Sequence, residues 1–154
     1  MIKLERVLFP TDLSEPAERA GDYACALAER FGAELYVLHV VETHLVGTPQ
    51  FGMGLAIADR VKRSKPEVER VLGEMFEEQR KAGQGVVCGT SEGAAFLEII
   101  EYAKRHDVDL IVMGTHGRSG LEQILIGSVA ERVVRMAGCP VLTVRPDGRQ
   151  FVMP

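Results

Sequence analysis

Apolar residues fall along the chain in two alternating kinds of stretch: short continuous blocks, and longer segments in which they recur every three or four positions. Continuous blocks bounded by turn residues predict strands covered on both faces, and the 3.6-residue spacing predicts helices with one buried stripe. Val7-Leu8-Phe9, closed by Pro10, is the first strand. Thr11-Asp12-Leu13-Ser14-Glu15-Pro16 follows with helix-start chemistry: a serine cap, an early glutamate and a proline in the first turn. Ala17, Ala20, Gly21, Ala24, Leu27, Ala28 and Phe31 then share one helical face, lined mostly by small residues that let a helix lie close to a sheet. Gly32 stops that helix, and residues 34–41 predict a second strand.

Residues 43–56 hold three glycines and a proline among apolar residues and are read as a mobile connection, either a lid over a ligand or a variable surface loop. Ser64 with Glu67 has the spacing of a capping box. Val68, Val71, Leu72, Met75 and Phe76 give the next apolar face, so a second helix is expected to about Lys81; whether residues 58–63 are helical ahead of Pro66 is left open. Residues 85–89 form a third short strand, Phe96, Ile99, Ile100 and Ala103 space a third helix, and residues 108–113 form a fourth strand ending in a continuous apolar run. A last helix over 128–137 stops at Gly138, and residues 140–146 make a fifth strand.

This βαβαβαβαβ order predicts an α/β fold: an open, doubly wound, five-stranded parallel sheet in the order 3-2-1-4-5 with helices on both faces. One domain over residues 1–154 is expected, with 147–154 as a C-terminal tail. Winding reverses between strands 1 and 4, where such sheets bind ligands, so the loops opening at Pro10 and Gly114 flank the expected crevice.

Composition narrows the function classes. Apolar residues are 46% and charged residues 26%, a balance that excludes disorder and collagen-like or coiled-coil structure. The net charge of -4 leaves no electrostatic footprint for nucleic acid or an anionic membrane, so a bound anion must be caught locally. Cys25, Cys88 and Cys139 have neither disulfide-framework nor zinc spacing and are read as buried reduced thiols. With no signal-like N-terminus and no run near the roughly 20 apolar residues of a membrane span, a cytoplasmic protein is expected.

The most informative stretch is Gly114-Thr115-His116-Gly117-Arg118-Ser119-Gly120, continuing through Gly127-Ser128. Glycines directly after a buried strand let the backbone approach a ligand and allow successive N–H groups to face one concavity, which suits phosphate. Ser128 and Glu131 also have capping-box spacing, and a helix start favours an anion. Taken alone, the same glycines can merely make turns and Ser128 merely cap its helix. There is no GxxxxGK[ST], and the 83–88 segment lacks the last glycine of a dinucleotide fingerprint and precedes a strand. A phospho-accepting receiver domain would need an acid ending strand 3, where Cys88 and Gly89 stand.

From Arg6 to Arg145 the chain resembles the universal stress proteins. Their signature G-x2-G-x9-G-[ST] is met by Gly114, Gly117, Gly127 and Ser128, and the 7–14 and 109–114 segments are similar to that family as well. The resemblance implies the ATP-binding branch, with Asp12 on the nucleoside, the backbone at Val40 near adenine, and Gly114, Gly117, Arg118, Gly127, Ser128 and Val129 around the phosphates. Pro10, Thr11 and Met113, at the strand ends beside them, complete the expected nucleotide-contacting set.

The residues themselves support part of this. Asp12, at the switch point, can accept from ribose hydroxyls or help hold Mg2+ or Mn2+ beside phosphates, or else cap the nearby helix. Arg118 can pair with phosphate oxygens or be solvated. His116 is the loop's candidate acid or base, and a solvated turn is its ordinary reading. His39, His44 and His106 form no ligand set and receive no chemistry; Glu77-Glu78 and the Arg60, Lys62, Arg63, Lys65 cluster read as solvated faces. Besides His116, Arg118 and a metal at Asp12, no residue is an evident candidate to position the attacking water or meet the developing charge of phosphoryl transfer, so any hydrolysis is expected to be slow. The leading expectation is therefore a nucleotide-dependent stress or regulatory protein acting on an unknown protein partner. Its rivals are a Mg2+- or Mn2+-dependent nucleotide phosphohydrolase and an interaction module with an empty glycine pocket. The apolar strand at 140–145 is an edge with no interior charge, which predicts a homodimer through it, with Phe151-Val152-Met153 adding contact; the family resemblance implies the same.

Overall fold

A computed structural model of the chain describes residues 1–42, 54–116 and 126–146, with the backbone alone for 54–64. In chain order the elements are β1 (Arg6–Pro10), α1 (Glu15–Phe31), β2 (Glu34–Glu42), α2 (Gly54–Met75), α3 (Glu77–Lys81), β3 (Val86–Gly93), α4 (Ala95–Arg105), β4 (Leu110–Gly114), α5 (Ser128–Met136) and β5 (Val141–Val144). All strands pair in parallel, in the order β3-β2-β1-β4-β5, as the alternation of strand and helix patterns predicts. No described helix is long and apolar enough to cross a membrane.

The period-2 alternation of β1 divides the core. Val7 and Phe9 face Ala20, Ala24 and Ala28 of α1 together with Leu72 and Phe76, while Leu8 faces Ile99 and Ala103 of α4 and Ala130 and Val133 of α5. Small residues bring α1 close to the sheet: a Cβ on Gly21 would stand 3.1 Å from the Phe9 ring. At the opposite end of the strands, Asp109 Oδ2 accepts from the N–H groups of Glu5 (2.8 Å) and Arg6 (2.9 Å), tying the entry of β1 to that of β4. Asp109→Ala leaves both donors to solvent and is expected to cost about 1–2 kcal/mol, read as a lowered midpoint in urea at unchanged m-value.

Four expectations are corrected. Residues 54–63 are helical and α2 runs through Ser64, so the Ser64/Glu67 capping box is not a helix start and the connection after β2 is shorter than 43–56; residues 43–53 lie outside the described residues. Good helix formers ahead of Ser64 carry the helix past Pro66, which removes only one hydrogen bond. β3 extends to Gly93 because its ladder with β2 continues through Glu42↔Gly93, beyond the apolar part of its sequence. At α5 the N-cap is Gly127, with no side-chain cap bond, so Ser128 is the first helical residue and Glu131 pairs instead with Arg135 at 2.8 Å. Finally, the three cysteines are free but half-buried, not fully buried.

Burial pushes all three thiols up, Cys25 furthest, to about 11, with Asp22 and Glu29 adding their charge. At pH 7.5 these thiols are protonated, so the native protein is expected to react with Ellman's reagent far more slowly than the same chain in denaturant. The Cys25 shift has a further consequence at alkaline pH. Between 9.0 and about 11 the unfolded chain ionises Cys25 while the native one holds the proton, so stability is lost as pH rises through that window. Cys25→Ser should flatten the loss in denaturation curves recorded from pH 8 to 11.

Candidate functional site

The crevice is built by where β1 stops. Asp109 N–H donates to the Arg6 carbonyl (2.9 Å) and Glu34 N–H to the Glu5 carbonyl (2.8 Å), so even-numbered residues of β1 turn their main-chain groups to β4 and odd-numbered ones to β2. Pro10 therefore faces β4 without an N–H to give, and the β1–β4 register ends at Leu8↔Ile111. β1 and β4 part above that point, at the predicted switch.

Beyond Pro10 the chain makes a compact turn. Leu13 N–H donates to Thr11 Oγ1 (3.1 Å) and Ser14 N–H to Asp12 Oδ1 (3.0 Å), while Leu13 takes a left-handed φ of 62°. Ser14 occupies the N-cap of α1, but its hydroxyl also donates to Asp12 Oδ1 and makes no cap bond to the helix. The Asp12 carboxylate is thus oriented by the residue two positions on. Thr11 is buried and joined to β2 through its N–H, which donates to the Leu38 carbonyl at 2.9 Å.

On the other wall, Gly127 N–H donates to the Thr115 carbonyl at 2.6 Å, drawing the start of α5 onto the end of β4. A Cβ on Gly127 would stand 3.1 Å from that same oxygen, and one on Gly114 would stand 3.4 Å from the His116 carbonyl and 3.7 Å from that of Pro16. Close approach of backbone to backbone thus favours glycine at 127, while at 114 a side-chain carbon would make ordinary contact. The first helical bond of α5 is Glu131 N–H to the Gly127 carbonyl (2.9 Å), so among the described residues the N–H groups of Ser128, Val129 and Ala130 have no acceptor and no capping side chain. Three bare amides at the positive end of a helix are an anion-binding arrangement.

The predicted residues Pro10, Thr11, Asp12, Val40, Gly114, Gly127, Ser128 and Val129 all lie where the carboxyl ends of β1, β2 and β4 meet the starts of α1 and α5. Met113 is buried in the core beside Leu8 and Ile111. Gly117 and Arg118 lie outside the described residues. His116 Nδ1 shares a hydrogen bond of 2.8 Å with Thr115 Oγ1. Among the described residues no three His, Cys, Asp or Glu side chains gather as a metal site.

One residue here escaped sequence reasoning. His39, assigned no chemistry, is buried at 8% exposure and its Nδ1 lies 2.9 Å from the Thr11 carbonyl. A signal was present: His39 falls on the same strand face as Val37 and Val41, and a polar side chain at a core-facing position must find a partner.

Over residues 3–145 the chain matches the universal stress protein family. It belongs to that family. Universal stress protein MJ0531 of Methanocaldococcus jannaschii is 39% identical over 147 residues, covering 95% of this chain and 85% of the relative. The structure of the universal stress protein UspA of Lactobacillus plantarum superimposes with a TM-score of 0.83 at 25% identity, over 94% of this chain and 100% of that one. A universal stress protein solved in complex with cAMP gives 0.62 at 24% identity, over 95% and 100%. The two solved structures share the fold in which β4 leads to α5.

Proposed function

We propose that this universal stress protein binds an adenine nucleotide, ATP in the first place, across the carboxyl ends of β1, β2 and β4, and that the bound nucleotide regulates a protein partner through a homodimer. The observation that carries this reading is the uncapped start of α5: Ser128, Val129 and Ala130 offer N–H groups that a phosphate chain would satisfy. Gly114 and Gly127 keep that approach free of side chains, and the proposed phosphate set also includes Gly117 and Arg118 of the glycine signature. Asp12, already held by Ser14, accepts from the ribose hydroxyls. With no cluster of three ligating side chains among the described residues, a divalent ion here would be one brought by the phosphates, with Asp12 giving a carboxylate to it.

The base goes to β2. Main-chain groups alternate along a strand, and Thr11 N–H bonds the Leu38 carbonyl, so the N–H and C=O of Val40 point to the same side, above the end of β1. One donor beside one acceptor matches the N1 and N6 edge of adenine, while guanine presents these in the opposite sense. The cAMP bound by the fold neighbour is an adenine nucleotide too. The dimer uses β5, an edge strand whose Leu142 is 37% exposed.

Calorimetry and thermal unfolding test the reading together. ATP is expected to bind at micromolar levels and raise the melting temperature by several degrees, since a ligand at about 100 times Kd adds about 2.7 kcal/mol. An unchanged melting temperature at millimolar Mg-ATP would refute it. Sedimentation at micromolar protein is expected to show a dimer.

A further inference from the structure

We propose that His39 is a positioning residue that gives the site its base selectivity by holding the Thr11 carbonyl and so leaving the Val40 N–H open to the base. The inference rests on the nucleotide reading above. In β2, Glu34 N–H donates to Glu5 on the β1 side (2.8 Å) and Leu35 N–H donates to Gly85 on the β3 side (2.8 Å), so even-numbered residues face β1 throughout. After the rung from Thr11 N–H to Leu38, the next rung of a regular parallel ladder runs from Val40 N–H to the Thr11 carbonyl. It is not formed. That carbonyl accepts instead from His39 Nδ1 at 2.9 Å, and since a carbonyl only accepts, Nδ1 carries the proton. A side chain thereby replaces a backbone donor, and Leu13, with its φ of 62°, turns the chain off the strand direction just beyond.

The substitution matters because Val40 is half-buried at the crevice. Among the described residues its N–H has no acceptor, so it keeps the donor that reads N1 of adenine. Without the imidazole, the Thr11 carbonyl becomes the nearest acceptor and the ladder closes by one rung. The donor that distinguishes adenine would then be spent inside the sheet, while the phosphate-facing amides of α5, on another element, would be untouched.

Two variants separate positioning from simple core packing: His39→Leu removes the donor, and His39→Asn keeps one, because the amide nitrogen of Asn falls where Nδ1 lies. Calorimetry with ATP, GTP and inorganic tripolyphosphate should show the parent preferring ATP to GTP. His39→Leu should lose about tenfold in ATP affinity, the effect of one hydrogen bond, with tripolyphosphate binding unchanged, and His39→Asn should restore most of the loss. In nucleotide-free protein, NMR hydrogen exchange at the Val40 amide should be fast in the parent and slowed in His39→Leu. Equal losses for ATP and tripolyphosphate, or a His39→Leu variant with the parent's ATP-to-GTP ratio and Val40 exchange rate, would overturn the inference while leaving nucleotide binding in place. A parent that binds no ATP would overturn the reading of the site, and this inference with it.

Discussion

Gly127→Val is expected to abolish ATP binding, a loss of at least about 100-fold in affinity, in a protein that still unfolds cooperatively. The backbone of Gly127, at φ -67° and ψ 158°, is one that valine adopts without strain, so the effect does not come from conformation. It comes from space. The first carbon of the side chain would press on the Thr115 carbonyl at 3.1 Å, and the branch adds two methyl groups of bulk immediately before the amides of Ser128 and Val129. Relief of that contact lengthens the 2.6 Å bond from Gly127 N–H to Thr115 and moves the helix start off β4. Overpacking of this kind costs about 1–3 kcal/mol, which lowers the urea midpoint without erasing the fold. Gly127→Ala, which adds the pressing carbon but no branches, should bind ATP with intermediate affinity. Calorimetry on both variants decides the matter: parental affinity in Gly127→Val would show that the phosphates do not lie against this helix.

How much of this was legible in the chain depends on the residue. β1, β2 and β4 are visible as apolar runs because the sheet is covered on both faces, and α1 is visible because its small residues recur at helical spacing. The second half of β3 is not. Thr90, Ser91 and Glu92 are polar, as an edge strand permits, and they are held by the register with β2 and by partners on helices, Thr90 with Glu69 and Ser91 with Glu98. The two misplaced helix starts have one cause: Ser64 with Glu67 and Ser128 with Glu131 have capping-box spacing, but spacing cannot say whether the residues before the serine are already helical or whether a glycine takes the cap. In the site, the glycine signature announces the α5 wall directly. His39 is legible only as a polar side chain at a core-facing position; the main-chain carbonyl it meets, 28 positions away, leaves no mark in a sequence.

Phe9→Ala should have the largest effect on stability. Phe9 is 1% exposed, meets Phe76 edge-on with ring centroids 6.3 Å apart, and stands against Gly21 of α1. Emptying such a site costs about 3–5 kcal/mol, from lost transfer energy and an unfilled cavity, and in a domain of this size that can approach the whole of its stability. The pairing with Gly21 makes the prediction sharper, because it fixes how two mutations must couple. In the parent, Gly21→Ala gains about 1 kcal/mol of helix propensity but places a carbon 3.1 Å from the Phe9 ring, so it should be neutral or destabilising. In a Phe9→Leu background the ring is gone, the new methyl group enters vacated space, and the same substitution should stabilise. Urea titrations of the four proteins give the coupling energy directly. The sign of the Gly21→Ala effect should reverse between the two backgrounds; equal shifts would mean that α1 is set at its distance from the sheet by something other than this ring. The reversal would also bear on function, since Phe9 immediately precedes Pro10 and Thr11, where the Asp12 turn begins.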